Sequence, residues 1–297
     1  MKIIITGSLG HISKPLTQGL LQKGHKVTVI SSNPEKQAAI EAIGAKAAIG
    51  SIEDINFLSA VFTGADAVYC MEPPAGMFVP DFDVMAHTAK QGESYAQAIM
   101  QSGVKRVVHL SSIGAHTDKG NGILAFHYHV EQILNKLPAD VAITFMRPVG
   151  FYYNLLSFIP AIKAQGNIVS NYGGDEKEPW VSPVDIAAAI AAELVKPFEG
   201  RCVQYIASDE VSCNETAAIL GEVMGKPDMK WLVIPSEQLL SGLLAVGMNK
   251  AFAEGFIEMN ESRINGILYE DYNRNKPVLG KIKMTDFAKD FAAAYNK

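Results

Sequence analysis

The sequence contains little cysteine. Its 297 residues include only Cys70, Cys202 and Cys213, and no two of them form a C-x-x-C pair. This scarcity argues against a disulfide framework or a zinc site, so we expect no metal site and reduced thiols in a cytoplasmic protein. The first predicted strand begins at Lys2, and no apolar run has the length of a membrane span. These two features predict neither a signal peptide nor a membrane segment.

An excess of basic residues is also missing. Lys and Arg number 26 against 31 Asp and Glu, which gives a formal net charge of −5. This balance argues against direct nucleic-acid binding and against affinity for anionic membranes. Hydrophobic residues make up 48% of the chain and charged residues 19%, which predicts a sizeable core rather than disorder.

The chain opens with a short β-branched strand, Ile3–Ile5, that runs into a glycine-rich turn and then a helix. Gly7 permits a sharp turn and Gly10 a close backbone approach, while Ser13 takes the third small position of the pattern Gly-x-x-Gly-x-x-Ser. In this context the turn is typical of a dinucleotide pyrophosphate site, with an ordinary glycine turn as the alternative. The predicted cofactor contacts in the turn are Thr6, Gly7, Leu9, Gly10, His11 and Ile12.

The end of the second predicted strand, Lys26–Ile30, indicates which dinucleotide the chain would bind. An acidic residue just after it would hold the ribose 2′-hydroxyl of NAD, and the sequence has none there. The hydroxyls of Ser31 and Ser32 and the ammonium of Lys36 suit a 2′-phosphate instead, which favours NADP(H) over NAD(H). Asn33 is predicted mainly to cap the next helix.

Predicted strands and helices alternate through residue 112, which favours a parallel sheet covered by helices. The predicted fold is α/β, a Rossmann-type doubly wound parallel sheet with a smaller mixed α/β C-terminal domain. We expect an NAD(P)-binding domain over 1–150, with later segments free to return to it. Residues 151–297 are expected to form the smaller domain, for a substrate or a partner.

Met71–Pro74 follows the fourth predicted strand at its carboxyl end, where ligands bind in this architecture. Pro73 is therefore a predicted cofactor contact. The next residues, 75–82, are predicted to be an exposed loop that contains apolar side chains. Two interpretations stay open, because such a loop either covers a ligand or packs on the next helix.

The second half of the chain contains several predicted structural devices. Ser182 with Asp185, and Ser212 with Glu215, have the spacing of capping boxes, and Thr285 is predicted to cap the last helix. The apolar residues at helical spacing are predicted to be core rather than a substrate site. They are Leu239, Leu240, Leu243, Leu244, Phe252, Phe256 and Met259.

A Ser-Ser pair beginning at Ser111 follows the fifth predicted strand, and a helix is predicted over 123–136. This order resembles the short-chain dehydrogenase/reductase superfamily. There a serine, a tyrosine and a lysine four residues after the tyrosine transfer protons, and in extended members a glutamate follows four residues after the lysine. Counting back from Glu131 places His127 at the lysine position and Ile123 at the tyrosine position. The usual tyrosine acid is therefore absent.

This departure is similar to the NmrA-like group of atypical members, which includes NAD(P)H:quinone oxidoreductase type 2 and NADPH-sensor proteins. The ordered stretches that carry the resemblance are Ile5–Gly10, Val104–Gly114, Thr144–Asn154, Val184–Ala187 and the Gly-Lys-Pro at 225–227. The resemblance implies the Rossmann fold and NAD(P) binding. Catalysis does not follow from it, because the group combines reductases with regulators that bind a nucleotide without turning it over.

The resemblance also implies roles for single residues. His127 would approach the nicotinamide ribose, with a helix-surface histidine as the alternative. Ser111 would bond to the ribose or to a substrate carbonyl, and Pro148 and Phe151 would wall the nicotinamide. Arg147 is expected rather to be a structural ion-pair partner.

The aromatic segment Phe151–Tyr153 follows a predicted strand end. One interpretation is a flat pocket for a quinone-like ring, and the other is packing of the small domain on the large one. Asn154 is the preferred polar contact beside it. The candidate catalytic residues are therefore His127, Ser111 and Asn154.

Two functions from different classes fit these residues. The first is a reductase that passes hydride from NAD(P)H to a quinone or another small electron-poor acceptor, with positioning supplying most of the rate. The second is a redox sensor that binds NAD(P) and signals to a protein partner, which the missing tyrosine favours. An isomerase or ether reductase of phenolics is a third interpretation, and the sequence leaves a homodimer or a protein partner open.

Overall fold

The computed structural model describes residues 1–197 and 199–297. Its main feature is a seven-stranded sheet in which neighbouring strands all pair in parallel. The strands are β1 (Lys2–Ile5), β2 (Lys26–Ser31), β3 (Lys46–Ile49), β4 (Ala67–Cys70), β5 (Arg106–Leu110), β6 (Ala142–Pro148) and β10 (Arg201–Ile206). Their order is β10-β6-β5-β4-β1-β2-β3, which confirms the predicted Rossmann-type sheet. The strand order reverses beside β1, the place where such sheets bind ligands.

Helices cover both faces of the sheet because successive strand residues point to opposite sides. Ile3 and Ile5 belong to the cluster that includes residues of α1 and α7, whereas Ile4 belongs to the cluster under α3, α4 and α5. The helices that cover the two faces are α1 (Ser13–Gln22), α2 (Gln37–Ala42), α3 (Ile55–Phe62), α4 (Val84–Ser102), α5 (Ala125–Asn135) and α7 (Pro183–Val195). The carboxyl edge of the sheet lies between the two helical layers and is left open to a ligand.

The remaining elements form a smaller, mixed α/β part with a core of its own around Trp180, Trp231 and Phe291. Its strands are β7 (Gly150–Phe151), β8 (Ile168–Ser170), β9 (Lys177–Val181), β11 (Asp209–Ser212) and β12 (Trp231–Val233). Its helices are α6 (Ile159–Gln165), α8 (Cys213–Val223), α9 (Ser236–Ala245), α10 (Lys250–Ile264), α11 (Glu270–Arg274) and α12 (Met284–Tyr295). Two elements after residue 150 add to the large sheet, because α7 packs on one of its faces and β10 is one of its strands. The division of the chain at residue 150 stays a prediction.

The predicted helix caps have different outcomes. The Ser212–Glu215 box at the start of α8 is confirmed, with both hydrogen bonds present. The second box is wrong: Ser182 caps α7, but Asp185 instead accepts bonds from the Ser208 hydroxyl and the Ile282 amide. Thr285 is not a cap, because α12 already begins at Met284.

The prediction that the apolar residues of the second half are core is wrong for α9. None of the residues of this helix is buried, including its four leucines. In α10 the buried apolar residues are Ala253 and Ile257, neither of which belonged to the predicted set. The periodicity of these helices was correct, but the face that packs depends on where the neighbouring chain runs. Among the residues that the structure describes, no helix is long and apolar enough to cross a membrane.

Candidate functional site

The turn over 6–13 joins β1 to α1 at the carboxyl edge of the sheet. Thr6 is fully buried, and its hydroxyl accepts a hydrogen bond from the Met71 amide at 3.0 Å. The Ser13 hydroxyl donates to the Thr6 carbonyl at 2.9 Å, which closes the turn. Gly7 has a φ of +84°, and a Cβ there would lie 2.7 Å from Ser13 Oγ and 3.0 Å from Met71 Sδ. The turn therefore requires glycine at this position for both its conformation and its packing.

Backbone N–H groups of this turn fit an anion. Within the described residues, no atom accepts a hydrogen bond from the amides of Leu9, His11 or Ile12. Gly10 is exposed, so nothing prevents a ligand from approaching its backbone. Unpaired amides ahead of a helix, together with the helix dipole, suit a pyrophosphate. The donor set thus fits the phosphates of a dinucleotide.

The predicted 2′-phosphate contacts lie beside this turn, at the end of β2. Ser31 is buried, and its hydroxyl accepts bonds from the Ser8 hydroxyl at 3.0 Å and from the Asn33 amide at 3.2 Å. Ser31 therefore ties the glycine turn to the β2 end. Ser32 and Lys36 are exposed and free to meet a ligand. Asn33 caps the following turn by accepting from the Glu35 amide, as predicted.

The aromatic segment packs directly on the glycine turn. Tyr153 stacks on His11, with ring centroids 4.8 Å apart, and also contacts Phe151 at 5.1 Å. Burial raises the pKa of the Tyr153 phenol to about 12, so this group is neutral at pH 7. Asn154 beside it is exposed, and no side-chain bond ties it down among the described residues. The segment therefore packs against one side of the glycine turn.

Pro148 and Pro73 lie on two other sides of the same sheet edge. Pro148 ends β6 and is buried, and its carbonyl accepts a hydrogen bond from the Ile113 amide at 2.9 Å. Pro73 is exposed after the end of β4. Both positions border the region where the nicotinamide is expected.

Ser111 is part of a buried charged network. Its hydroxyl donates to Glu131 Oε1 at 2.5 Å, and Arg147 donates to both oxygens of the same carboxylate, at 2.9 and 2.6 Å. Arg147 also donates to Asp271 at 3.1 Å, which links β6 to α11. The expected structural role of Arg147 is present in these contacts. The proton of the Ser111 hydroxyl is consequently directed at Glu131 rather than at a ligand.

His127 lies on α5, with its ring 3.9 Å from that of Phe126. Burial lowers the pKa of His127 to about 3, and the neighbouring His109 and Arg147 add to the effect. The imidazole is therefore neutral at pH 7 and lacks the second ring proton that an imidazolium would give up as an acid. Ile123, at the position of the missing tyrosine, is buried in the turn Gly122–Leu124.

The structure reveals one polar pair that sequence reasoning missed. His109 on β5 and Glu72 after β4 are both buried, and His109 Nε2 lies 3.1 Å from each Glu72 oxygen. A histidine within an apolar strand, beside a carboxylate at the end of the neighbouring strand, was the available signal. His109 is also one of the groups that lower the pKa of His127.

Loop 75–82 is attached to the smaller part of the molecule through Asn249. The Asn249 amide donates to the Met77 carbonyl at 2.9 Å, and its side chain donates to the Val79 carbonyl at 2.9 Å. The side-chain oxygen also caps α10 by accepting from Phe252. A cleft of about 1010 Å³ opens behind this attachment, between the start of α4, the turn Gly122–Leu124 and α10. In the part of the chain that the structure describes, no three His, Cys, Asp or Glu side chains are placed to hold a metal.

The family model of the NmrA-like family matches residues 1–273. The chain belongs to the NmrA-like family. The family resemblance seen in the sequence is thereby confirmed.

Two curated relatives are reductases by name. An NAD(P)H azoreductase of Xenophilus azovorans is 26% identical over 296 residues, covering 99% of this chain and 99% of the relative. A (4-alkanoyl-5-oxo-2,5-dihydrofuran-3-yl)methyl phosphate reductase of Streptomyces griseus subsp. griseus is 27% identical over 227 residues, covering 76% of this chain and 74% of the relative.

Solved structures share the fold along the whole chain. An NADPH-dependent quinone oxidoreductase of Escherichia coli, complexed with NADPH, matches with a TM-score of 0.80 at 20% identity, covering 97% of this chain and 99% of the other. A Citrobacter sp. triphenylmethane reductase, complexed with NADP(H), matches with a TM-score of 0.74 at 20% identity, covering 97% and 99%. At this identity the likeness establishes the architecture alone.

Proposed function

We propose that this NmrA-like chain is an NAD(P)H-dependent reductase of quinone-like or other small electron-poor acceptors, and that it favours NADP(H). The observation that carries the proposal is the turn over 6–13, where a crowded Gly7 and three amides that have no acceptor among the described residues suit a pyrophosphate. Support comes also from the full-length relative named as an NAD(P)H azoreductase. The fold neighbour named as a quinone oxidoreductase is consistent with the same acceptor class.

Most of the predicted contacts fall into two groups, one at each end of the dinucleotide. The turn residues Thr6, Gly7, Leu9, Gly10, His11 and Ile12 hold the pyrophosphate end of the dinucleotide. His127, Pro73, Pro148 and Phe151 border the nicotinamide end, and Asn154 offers the acceptor a polar contact. When bound, the reduced nicotinamide supplies the hydride. The chain then has to hold donor and acceptor at contact distance, which lowers the barrier by positioning.

The proton chemistry follows from what the site residues are able to give. Ile123 has no proton to donate, the Ser111 hydroxyl is bonded to Glu131, and His127 is neutral. A quinone-like acceptor suits such a site because it needs little acid assistance at the moment of hydride transfer. Water or an exposed hydroxyl protonates the product afterwards.

The test is to follow the absorbance of NADPH while purified protein is mixed with a panel of quinones and an azo dye. We expect protein-dependent oxidation with at least one member of the panel. Tight NADPH binding without oxidation across the panel would reject the reductase for these acceptors.

The cofactor preference has its own measurement. Ser32 and Lys36 are exposed beside the glycine turn, where a 2′-phosphate would meet them. We therefore expect a lower KM for NADPH than for NADH with the same acceptor. A wide preference for NADH would contradict this part of the proposal.

A non-catalytic redox sensor is the second candidate function. It is favoured by one observation, namely that Ile123 replaces the proton donor expected at its position. A sensor would bind NADPH and NADP⁺ with different consequences for a protein partner, and would oxidise no acceptor. The same panel, combined with binding measurements for the two cofactor forms, separates the two functions.

A further inference from the structure

We propose that the cleft between loop 75–82 and α10 is the acceptor site, and that its charge selects cationic and neutral acceptors against anionic ones. This inference rests on the proposed reductase function and deepens it by naming the charge class of the acceptor. Three features of the molecule support it: the position of the cleft, the close packing of α10 beside it, and the side chains that line it.

The cleft reaches the position where the superfamily places its proton donor. Ile123 lines it together with the first residues of α4, and both α4 and α5 start from the carboxyl edge of the sheet. That edge also carries the glycine turn over 6–13. A molecule in the cleft thus lies on the side of the sheet where a nicotinamide would be presented.

Helix α10 is held against this position by two glycines. Gly122 has a φ of +56°, and a Cβ there would lie 2.0 Å from the carbonyl oxygen of Gly255. A Cβ on Gly255 would in turn lie 3.1 Å from the Ile123 amide. The contact is close enough to exclude any side chain at Gly122. Because of this contact, Glu254 and Glu258 of α10 line the same cleft as Ile123.

The charges in the cleft are mainly negative. Its described lining contains the carboxylates of Asp81, Asp83, Glu254 and Glu258 and one ammonium, that of Lys250. The ammonium lies 3.8 Å from Glu254, so that pair is largely neutralised. Asp81 and Glu258 have no cationic partner among the residues that the structure describes. Both are exposed and able to act on a ligand.

Apart from Asn249, the rest of the lining is apolar and suits a flat ring. Phe82, Met85 and Met248 each line the cleft and are only partly buried. Thioether and aromatic surfaces adapt to planar ligands of different outline. Apolar walls also reduce the local dielectric screening, so the unpaired carboxylates act more strongly on a charged ligand than they would in open water.

The experiment uses three naphthoquinones with the same ring and linker, ending in trimethylammonium, hydroxyl or sulfonate. For each compound, both kcat/KM with NADPH and the dissociation constant in the presence of NADP⁺ are measured. We expect kcat/KM for the cation to exceed that for the anion by roughly tenfold at low salt. At about 0.5 M salt the ratio should fall to within about twofold, because the charges are then screened.

Substitutions test whether the cleft is the origin of this preference. The double variant Asp81→Asn with Glu258→Gln should reduce the cation-to-anion ratio to about threefold or less. Glu222→Gln removes an exposed carboxylate on α8, outside the cleft lining, and should leave the ratio unchanged. NADPH affinity, measured by fluorescence, checks that each variant retains its cofactor site.

The outcomes separate this inference from the proposed function. Reduction of all three compounds at equal rates, or a preference that neither salt nor the double variant changes, would overturn the charge selection and leave the reductase intact. Salt-sensitive, variant-sensitive binding of the cation without turnover would support the site and reject the reductase for these compounds. Absence of both binding and turnover would overturn both.

Discussion

The nucleotide end and the proton-transfer end of the candidate site are built in different ways. At the nucleotide end, the turn over 6–13 presents backbone amides that have no acceptor among the described residues. At the proton-transfer end, the side chains are already engaged or carry no available proton: Ser111 is bonded to Glu131, Ile123 is apolar, and His127 is neutral.

The two ends therefore differ in the part of the chemistry that the chain itself supplies. Backbone amides and glycine geometry bind a cofactor whatever the side chains nearby are. Acid–base catalysis depends on a particular proton at a particular place, whereas the Ser111 hydroxyl is bonded to Glu131, Ile123 is apolar and His127 is not an imidazolium at pH 7. The proposed reductase therefore suits hydride acceptors that need little protonation during transfer.

The largest effect is expected at the proton-transfer end, from Arg147→Met. The change leaves the buried Glu131 carboxylate without its cation, which should lower the free energy of unfolding by about 3 to 5 kcal/mol. Urea unfolding measures the loss. Arg274→Met breaks an exposed pair with Glu270 and should cost less than about 1 kcal/mol. Equal effects of the two variants would contradict a structural role for the Arg147 network.

At the nucleotide end, Gly10→Val should abolish most of the cofactor affinity. Gly10 is exposed, and an added Cβ would meet only the Gly7 carbonyl, at 3.2 Å, so the fold should tolerate the change. A bulky side chain at this place blocks the phosphates. We expect the dissociation constant of NADPH to rise about 100-fold, which corresponds to about 2.7 kcal/mol.

Gly19→Val on α1 is the matched control for this change. A Cβ at Gly19 has no atom within 4 Å outside the helix backbone. NADPH affinity should therefore stay the same in this variant. Normal NADPH binding by Gly10→Val would refute the assignment of the whole cofactor site.

The titration of His127 gives a smaller effect with a definite sign. Its pKa in the folded chain is about 3, below the ordinary value of 6.5. Between these values the unfolded chain binds a proton that the folded chain does not. The contribution of His127 to stability is thus complete above about pH 6.5 and is lost as the pH falls toward 3, at about 1.4 kcal/mol per pH unit.

His127→Gln should therefore flatten the decline in unfolding free energy between about pH 7.5 and about pH 4.5. Urea unfolding at the two pH values measures it. His129→Gln, which changes an exposed histidine on the same helix, should leave the decline as it is. An unchanged decline in His127→Gln would contradict a neutral, partly buried imidazole at this position.

The smallest effect concerns the choice of cofactor. Lys36→Glu places a negative charge where the 2′-phosphate of NADP(H) is expected, so the ratio of kcat/KM for NADPH to that for NADH should fall about five- to tenfold. Lys23→Glu, with the same charge change at the C-terminal end of α1, should keep the ratio. A ratio unaffected by Lys36→Glu would remove this residue from the cofactor site.

Local sequence signals were sufficient for the first six strands of the large sheet, whereas its seventh strand, β10, was not predicted. The strand Ala67–Cys70 and the helix Ile55–Phe62 have the bounds that their apolar runs and the following glycines predict. The glycine turn was also readable, because its conformation depends on residues within a few positions of one another.

Contacts between distant parts of the chain could not be predicted from local sequence patterns. Arg147 donates to Asp271, which lies 124 residues away in the sequence, and Asp185 accepts from the Ile282 amide, which lies 97 residues away. The leucines of α9 have helical spacing but no partner surface that buries them among the described residues. In each case, local pattern determines the element, whereas the tertiary arrangement determines what the side chain contacts.

The most direct test of the central claim is a single-turnover reaction with stereospecifically labelled NADPH, carrying deuterium at one or the other C4 position. Protein, labelled cofactor and a naphthoquinone are mixed, and the decay of the reduced cofactor is followed. If the chain is a reductase, we expect rapid, protein-dependent oxidation of NADPH that is slowed by deuterium at one C4 position only. Binding of the cofactor without oxidation above the protein-free rate would contradict it.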